Sequence, residues 1–161
     1  MNMISLLQKI SLWINAIVEK LLLVIGGSIC LILFAQVLSR YIGSSLGWSE
    51  EVSRHLLVAT TFLGGTAAYK RMSFIGLKGI GHGLGPSVQQ VIVVGLQVAT
   101  LGCFCILAWF GTEYTIKAWQ YTTASLQIPM SIPFAVIPVS AMVFIVHVLA
   151  DMATTFKRSA R

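Results

Sequence analysis

Ionisable residues are few in this chain, with five Asp and Glu, eleven Lys and Arg and three His among 161 residues. The densest group is Trp48-Ser49-Glu50-Glu51-Val52-Ser53-Arg54, preceded by Arg40-Tyr41. On a helix both Glu50 and Glu51 fall within one turn of Arg54, so either can pair with it along one face. Ser49 is placed to cap the helix start, and carboxylates in a first turn complement its positive dipole end. Arg40, at the end of the preceding apolar run, can reach the same acidic cluster. If exposed, such a network is a solvated cap worth little energy. Against a partner it is partly desolvated and supplies orientation and specificity. So much charge beside apolar surface favours the interface, and Arg40, Trp48, Glu50, Glu51 and Arg54 are the candidate contact residues.

No catalytic template assembles from the rest. Glu19, Glu113 and Asp151 are far apart, and His55, His82 and His147 sit on separate segments without metal-ligand spacing. No catalytic, substrate, metal or cofactor site is expected. His147 and Asp151 are four apart and can meet on one helix face, where a proton relay or haem ligand is conceivable. Their place beside Lys157 and Arg158 favours instead a helix end reaching headgroups or water. Cys30, Cys103 and Cys105 lie within apolar runs and read as packing residues. The stretch from Met72 to Ser87 carries Gly76, Gly79, Gly81, Gly83 and Gly85. With no preceding strand and no Gly-Lys-Ser/Thr ending it reads as a flexible connector, not a phosphate cradle.

The elements that must carry these residues are membrane helices. Hydrophobic residues make up 57%, charged residues only 10%, and the mean hydropathy is +0.86, far from the usual soluble composition. The net charge of +6 is spread through the gaps between apolar runs, which argues orientation in a bilayer and against nucleic-acid binding. Leu21 to Ser39, Val88 to Thr112 and Ile132 to Ala150 carry no charge and are long enough to span. A further span from residue 49 to 70 has its charges in the first turns, leaving Leu56 to Tyr69 uncharged. Leu6, Leu7, Ile10, Trp13, Ile14 and Ile17 recur at helical spacing and predict an interfacial amphipathic helix; its long apolar continuation speaks against a cleaved signal peptide. The expectation is an all-α integral membrane protein of one domain, 1–161. It comprises an amphipathic helix at 3–16 and four spans at 17–41, 49–70, 88–112 and 130–155.

Small residues mark packing surfaces, with Thr60, Gly64 and Ala68 on the second span and Gly95, Ala99 and Cys103 on the third. Gly64 joins the interface candidates on this ground. Gln36, Gln89, Gln90 and Gln97 can hydrogen-bond across such contacts. Pro138 should kink the last span or free carbonyls within it.

Gln36-Val37 with Arg40-Tyr41, then Trp48-Ser49-Glu50-Glu51 with Arg54, Phe62-Leu63-Gly64-Gly65, Ile128-Pro129, Ile132-Pro133 and Ile137-Pro138-Val139 together resemble the small membrane subunit of tripartite ATP-independent periplasmic (TRAP) transporters. The chain departs from that pattern at Met72-Ser73-Phe74, where family members often carry a histidine. The resemblance implies a non-catalytic subunit in the bacterial inner membrane, partnered directly by a large elevator-type permease subunit and, through the complex, by a periplasmic substrate-binding protein. It further implies sodium-coupled import of an organic acid such as a C4-dicarboxylate or sialic acid, with this chain as a brace that holds neither substrate nor sodium. The rival readings are a haem-binding membrane anchor of a redox enzyme, ligated through His55 or His147, and a general membrane assembly protein.

Lys and Arg distribution fixes the expected orientation. With the N-terminus inside, Lys9, Lys20, Lys70, Arg71, Lys78, Lys157, Arg158 and Arg161 fall on the inner side and Arg40, Arg54 and Lys117 on the outer, so both termini belong in the cytoplasm. Tyr41, Trp48, Tyr114, Trp119 and Tyr121 gather near the other boundary, as interfacial aromatics do. Reporter fusions after Lys78 and Arg161 should therefore read as cytoplasmic, and fusions near Gly43 and Tyr121 as periplasmic. A periplasmic signal at Arg161 would remove the four-span topology.

Overall fold

The computed structural model describes residues 3–44, 46–79 and 86–159, with side chains for 5–44, 46–71 and 88–155. The described chain is almost wholly helical: α1 Met3–Tyr41, α2 Gly47–Gly79, α3 Pro86–Lys117, a 3-10 turn Ala118–Gln120, the short α4 Ser131–Phe134 and α5 Val136–Ser159. Three helical stretches, Ser5–Tyr41, Val88–Gln120 and Ser131–Thr155, are long and apolar enough to cross a membrane. The chain is an all-α multi-pass membrane protein. The fourth long helix, α2, lies beside them but carries more polar residues.

Two boundaries differ from the expectations. The segments 3–16 and 17–41 form one unbroken helix of 39 residues, roughly 58 Å long against a hydrocarbon core of about 30 Å. No proline interrupts them, so the amphipathic stretch continues the span and packs its Ser11 side on α5 instead of standing as a separate interfacial helix. Helix α2 runs on to Gly79, nine residues beyond the expected end at 70. The remaining connector, 80–85, with His82, Gly81, Gly83 and Gly85, lies outside the described residues.

Helix α5 is the hub, touching α1, α2 and α3, whereas α3 packs chiefly on α5. Glu19 reaches Arg71 while Leu22, further along α1, meets Gly64, earlier on α2, so α1 and α2 are antiparallel. Phe144 of α5 joins two neighbours at once. Its ring stacks on Phe104 of α3 at 3.8 Å and 12° and meets the edge of Tyr69 of α2 at 5.8 Å. Gly65 makes room for it, since a Cβ there would lie 3.4 Å from the Phe144 ring. A small cluster of Val18, Leu63 and Ala67, packed by Ile14, Leu22, Ile25, Val136 and Val143, closes the contact between α1, α2 and α5. Gly64 faces Leu22 in this contact, whereas Gly95 of the α3 row has no neighbour within 4 Å, and that row faces away from the bundle.

Pro138 interrupts the last span. Its missing N–H leaves the Phe134 carbonyl without the usual helical donor, and the helix is divided into α4 and α5 at Ala135. The Thr115 hydroxyl of α3 lies 2.7 Å from Gly111 O and 3.4 Å from Phe134 O, so its proton is shared with the freed carbonyl. Close approach makes this possible: a Cβ on Gly111 would lie 3.2 Å from Ile137 Cγ2. Gly111→Leu should push α3 from α5 and cost about 1–3 kcal/mol as overpacking does. Denaturant titration of the purified chain in micelles reads the loss, and a wild-type midpoint would show the contact to be loose.

Candidate subunit interface and a buried polar seam

The two ends of the bundle are held by different chemistry. At the end carrying the α1–α2 turn, the first turn of α2 meets a hairpin-like loop. That loop is closed by Thr123 N–H to Ile128 O at 2.8 Å and Met130 N–H to Tyr121 O at 2.8 Å, with Gln127 at φ 57° at its tip. Glu51 grips the loop: its carboxylate accepts the Ser125 N–H at 2.8 Å and the Ala124 N–H at 3.1 Å. The Ser125 hydroxyl donates to Gly47 O at 3.3 Å. These donors, with Ser125 the shortest, fix the Glu51 carboxylate against the loop.

The candidate cluster is therefore divided. Glu51 is engaged inside the chain. Glu50 pairs with Arg54 at 3.7 Å, with the two side chains 75% and 73% exposed. Arg40 is exposed, and among the described residues its guanidinium pairs with neither carboxylate. Trp48 is 43% exposed on the same rim, beside exposed Tyr41 and Tyr121. Gly64 lies well down α2, in the contact with α1, and does not join this rim. Ser49 is buried and donates its hydroxyl to Leu46 O at 2.7 Å. It therefore sits within the first turn and is not the cap that its type suggests.

At the opposite end the polar groups go inward. Lys70 Nζ of α2 donates to Asp151 Oδ1 of α5 at 3.3 Å, with side chains only 5% and 12% exposed. One turn deeper on α5, His147 is fully buried and shares a 2.8 Å hydrogen bond through Nδ1 with Ser11 Oγ of α1. Gln97 of α3 donates to Thr155 Oγ1 at 3.3 Å, and Thr155 in turn donates to Asp151 O at 3.1 Å. Outside this seam Arg71 of α2 reaches Glu19 of α1 at 3.1 Å, and Asn15 donates to the same carboxylate at 3.0 Å. All four long helices are thus stitched together at one level. His147 and Asp151 are buried, held by Ser11 of α1 and Lys70 of α2, and do not stand at an open helix end. His55 sits in the first turns of α2, toward the other end of the bundle from His147. A signal for the seam was present in the sequence: Lys70 and Asp151 end apolar runs at the same boundary with opposite sign.

Breaking a buried pair by removing one partner strands a charge and costs about 3–5 kcal/mol, whereas replacing both with apolar groups is often neutral. Lys70→Met and Asp151→Leu should each destabilise the purified chain by that amount in micelle unfolding titrations. The double variant should recover most of the loss. Additive losses in the double variant would show that the two groups act separately.

Comparison with known proteins places this architecture. Residues 29–158 match the family described as tripartite ATP-independent periplasmic transporters, DctQ component. The chain is also 30% identical over 151 residues to the isethionate TRAP transporter permease protein DctMQ of Oleidesulfovibrio alaskensis, with 88% of this chain covered. It spans only 24% of that relative's length. A family match that runs from residue 29 in α1 to residue 158 in α5, over the collar and the hub helix, means that the chain belongs to the DctQ component of the tripartite ATP-independent periplasmic transporters.

Proposed function

We propose that this chain is the small, non-catalytic subunit of a sodium-coupled importer of organic acids, bracing a large permease subunit that receives its substrate from a periplasmic binding protein. Family membership carries the reading. The relative named DctMQ supports the partner, because this chain corresponds to about a quarter of that polypeptide and leaves the greater part to a second component. The charge inventory supports a bracing role. Each of the five acidic residues has a partner within this chain: Glu19 with Arg71, Glu50 with Arg54, Glu113 with Lys117, Asp151 with Lys70, and Glu51 with the loop. Carriers that couple ions place their coordinating groups near the midplane, on interrupted helices. Here Glu50 and Glu51 open α2, Glu113 lies near the end of α3 and Asp151 in the later half of α5, while Glu19, mid-way along α1, is engaged by Arg71. In this reading α2 crosses as the fourth span of an inner-membrane protein with both termini cytoplasmic, and Arg40, Trp48, Glu50 and Arg54 meet the large subunit or its binding protein. Glu51 acts indirectly, by presenting the loop.

Reconstitution tests the assignment. The chain alone should give no sodium-driven uptake, and the large subunit with the binding protein should need this chain for uptake. In the complex, Arg54→Ala should weaken co-purification of the large subunit without altering the stability of the isolated chain, since the Glu50 pair is exposed. Sodium-driven uptake by the chain alone would overturn the subunit reading. Wild-type co-purification for both Arg54→Ala and Arg40→Ala would remove the collar from the interface.

A further inference from the structure

A groove of about 550 Å³ runs between α3 and α5, and none of its lining residues belongs to the collar or the polar seam. Its walls are Cys105, Ala108, Trp109 and Ile116 of α3 with Met142 and Ile145 of α5, and it opens to the bilayer. Trp109 stands 73% exposed at its side and Ile116 69%. Polar groups appear only at the end nearest Lys117, where Glu113 closes the lining and pairs with Lys117 at 2.6 Å. From Cys105 to Lys117 the helix rises roughly 18 Å, close to the depth of one leaflet of a core about 30 Å thick. The groove is therefore one acyl chain deep, with a charged pair at headgroup level.

We propose that this groove holds a single phospholipid with an ethanolamine headgroup, in the leaflet at the Lys117 end. The charges select the headgroup. An ammonium carries three donors and a carboxylate about four acceptor positions, and each group of the pair spends one on the other. The two side chains remain 71% and 48% exposed, so Lys117 can donate to a lipid phosphate while Glu113 accepts from the primary ammonium of the same headgroup. A glycerol headgroup offers Glu113 no cation and leaves a net negative lipid beside it. A choline headgroup brings a cation with no N–H to donate. The proposal rests on the chain spanning a bilayer and is independent of its role in transport.

Trp109 provides the readout once Trp13, Trp48 and Trp119 are replaced by Phe in the full chain. The chain is placed in bilayers containing a small fixed fraction of acyl-brominated phosphatidylethanolamine, phosphatidylglycerol or phosphatidylcholine, whose bromines quench a neighbouring indole. Brominated phosphatidylethanolamine should quench as though enriched about two- to fivefold over its bulk fraction, the range expected of exposed ionic contacts. Lys117→Ala and Glu113→Gln should return it to the bulk value. Both substitutions are at exposed positions and leave the helix contacts intact. Equal quenching by the three lipids, or a preference untouched by both variants, would overturn the proposal. In the complex with the large subunit, native mass spectrometry should find a phosphatidylethanolamine adduct that Ala108→Trp, which fills the groove, removes. A complex without that adduct would assign the groove to a helix of the partner.

Discussion

Lipid tails are as apolar as the side chains they touch, so helices in a bilayer gain little from hiding hydrophobic surface against each other. Close packing and polar contacts must hold them instead. In this chain both are concentrated on α5. Its Asp151 is neutralised by Lys70, its His147 is bonded to Ser11, its Phe144 ring is clasped by Phe104 and Tyr69, and its Ile137–Pro138 step rests on Gly111. Removing the hub would leave α3 with almost nothing to touch. Helices α1 and α2 would keep only each other. The sequence reflects this: α5 collects the buried Ser140, Ala141, Val148 and Ala150, small or compact side chains that let neighbours approach on more than one side.

The two ends differ because the constraints there differ. At the seam, the long α1 brings Ser11 against His147, one turn from an ion pair that packing has removed from solvent. A buried pair of this kind fixes register, because a slip of one residue along either helix would strand both charges. At the collar nothing charged is buried. The loop between α3 and α4 is held by backbone N–H groups donating to one carboxylate, Glu51, and the remaining charges stay in solvent. One end is locked internally and the other presents its polar groups outward. That asymmetry leaves the collar, and not the seam, with charges that no helix contact has taken up.

Much of this was legible in the residues. Uncharged runs identified the apolar helices, since a bilayer imposes their length directly. Pro138 announced a local interruption, and the acidic first turn of α2 announced a helix start. What escaped depends on the third dimension. The Lys70–Asp151 pair joins residues 81 apart in sequence, and only the packing of α2 along α5 brings them together. Glu51 looked like a partner for Arg54, because spacing on one helix says nothing about a loop 73 residues away. Gly64 faces Leu22 of α1 and Gly65 the Phe144 ring of α5; a Gly-Gly pair does not reveal which neighbour each member meets. The 3–16 stretch read as a separate interfacial helix because periodicity reports one apolar face and not what covers it.

The arrangement also explains why so much apolar surface stays outside. A closed four-helix bundle would turn one stripe of each helix inward and give every helix two neighbours. Here α3 packs chiefly on α5, so the layer stays open and Val91, Ile106, Trp109 and Phe110 of α3 stay exposed, as do Leu23, Leu31 and Phe34 of α1. In water such surface would drive aggregation; in lipid it carries no penalty. An open layer therefore needs the bilayer as solvent, and it retains broad faces on which another membrane protein can pack without first displacing any contact within the chain. The rigid seam matters for that reason. A thin layer with few helix contacts shears easily, and the buried Lys70–Asp151 pair, which ties α2 to α5, resists that shear.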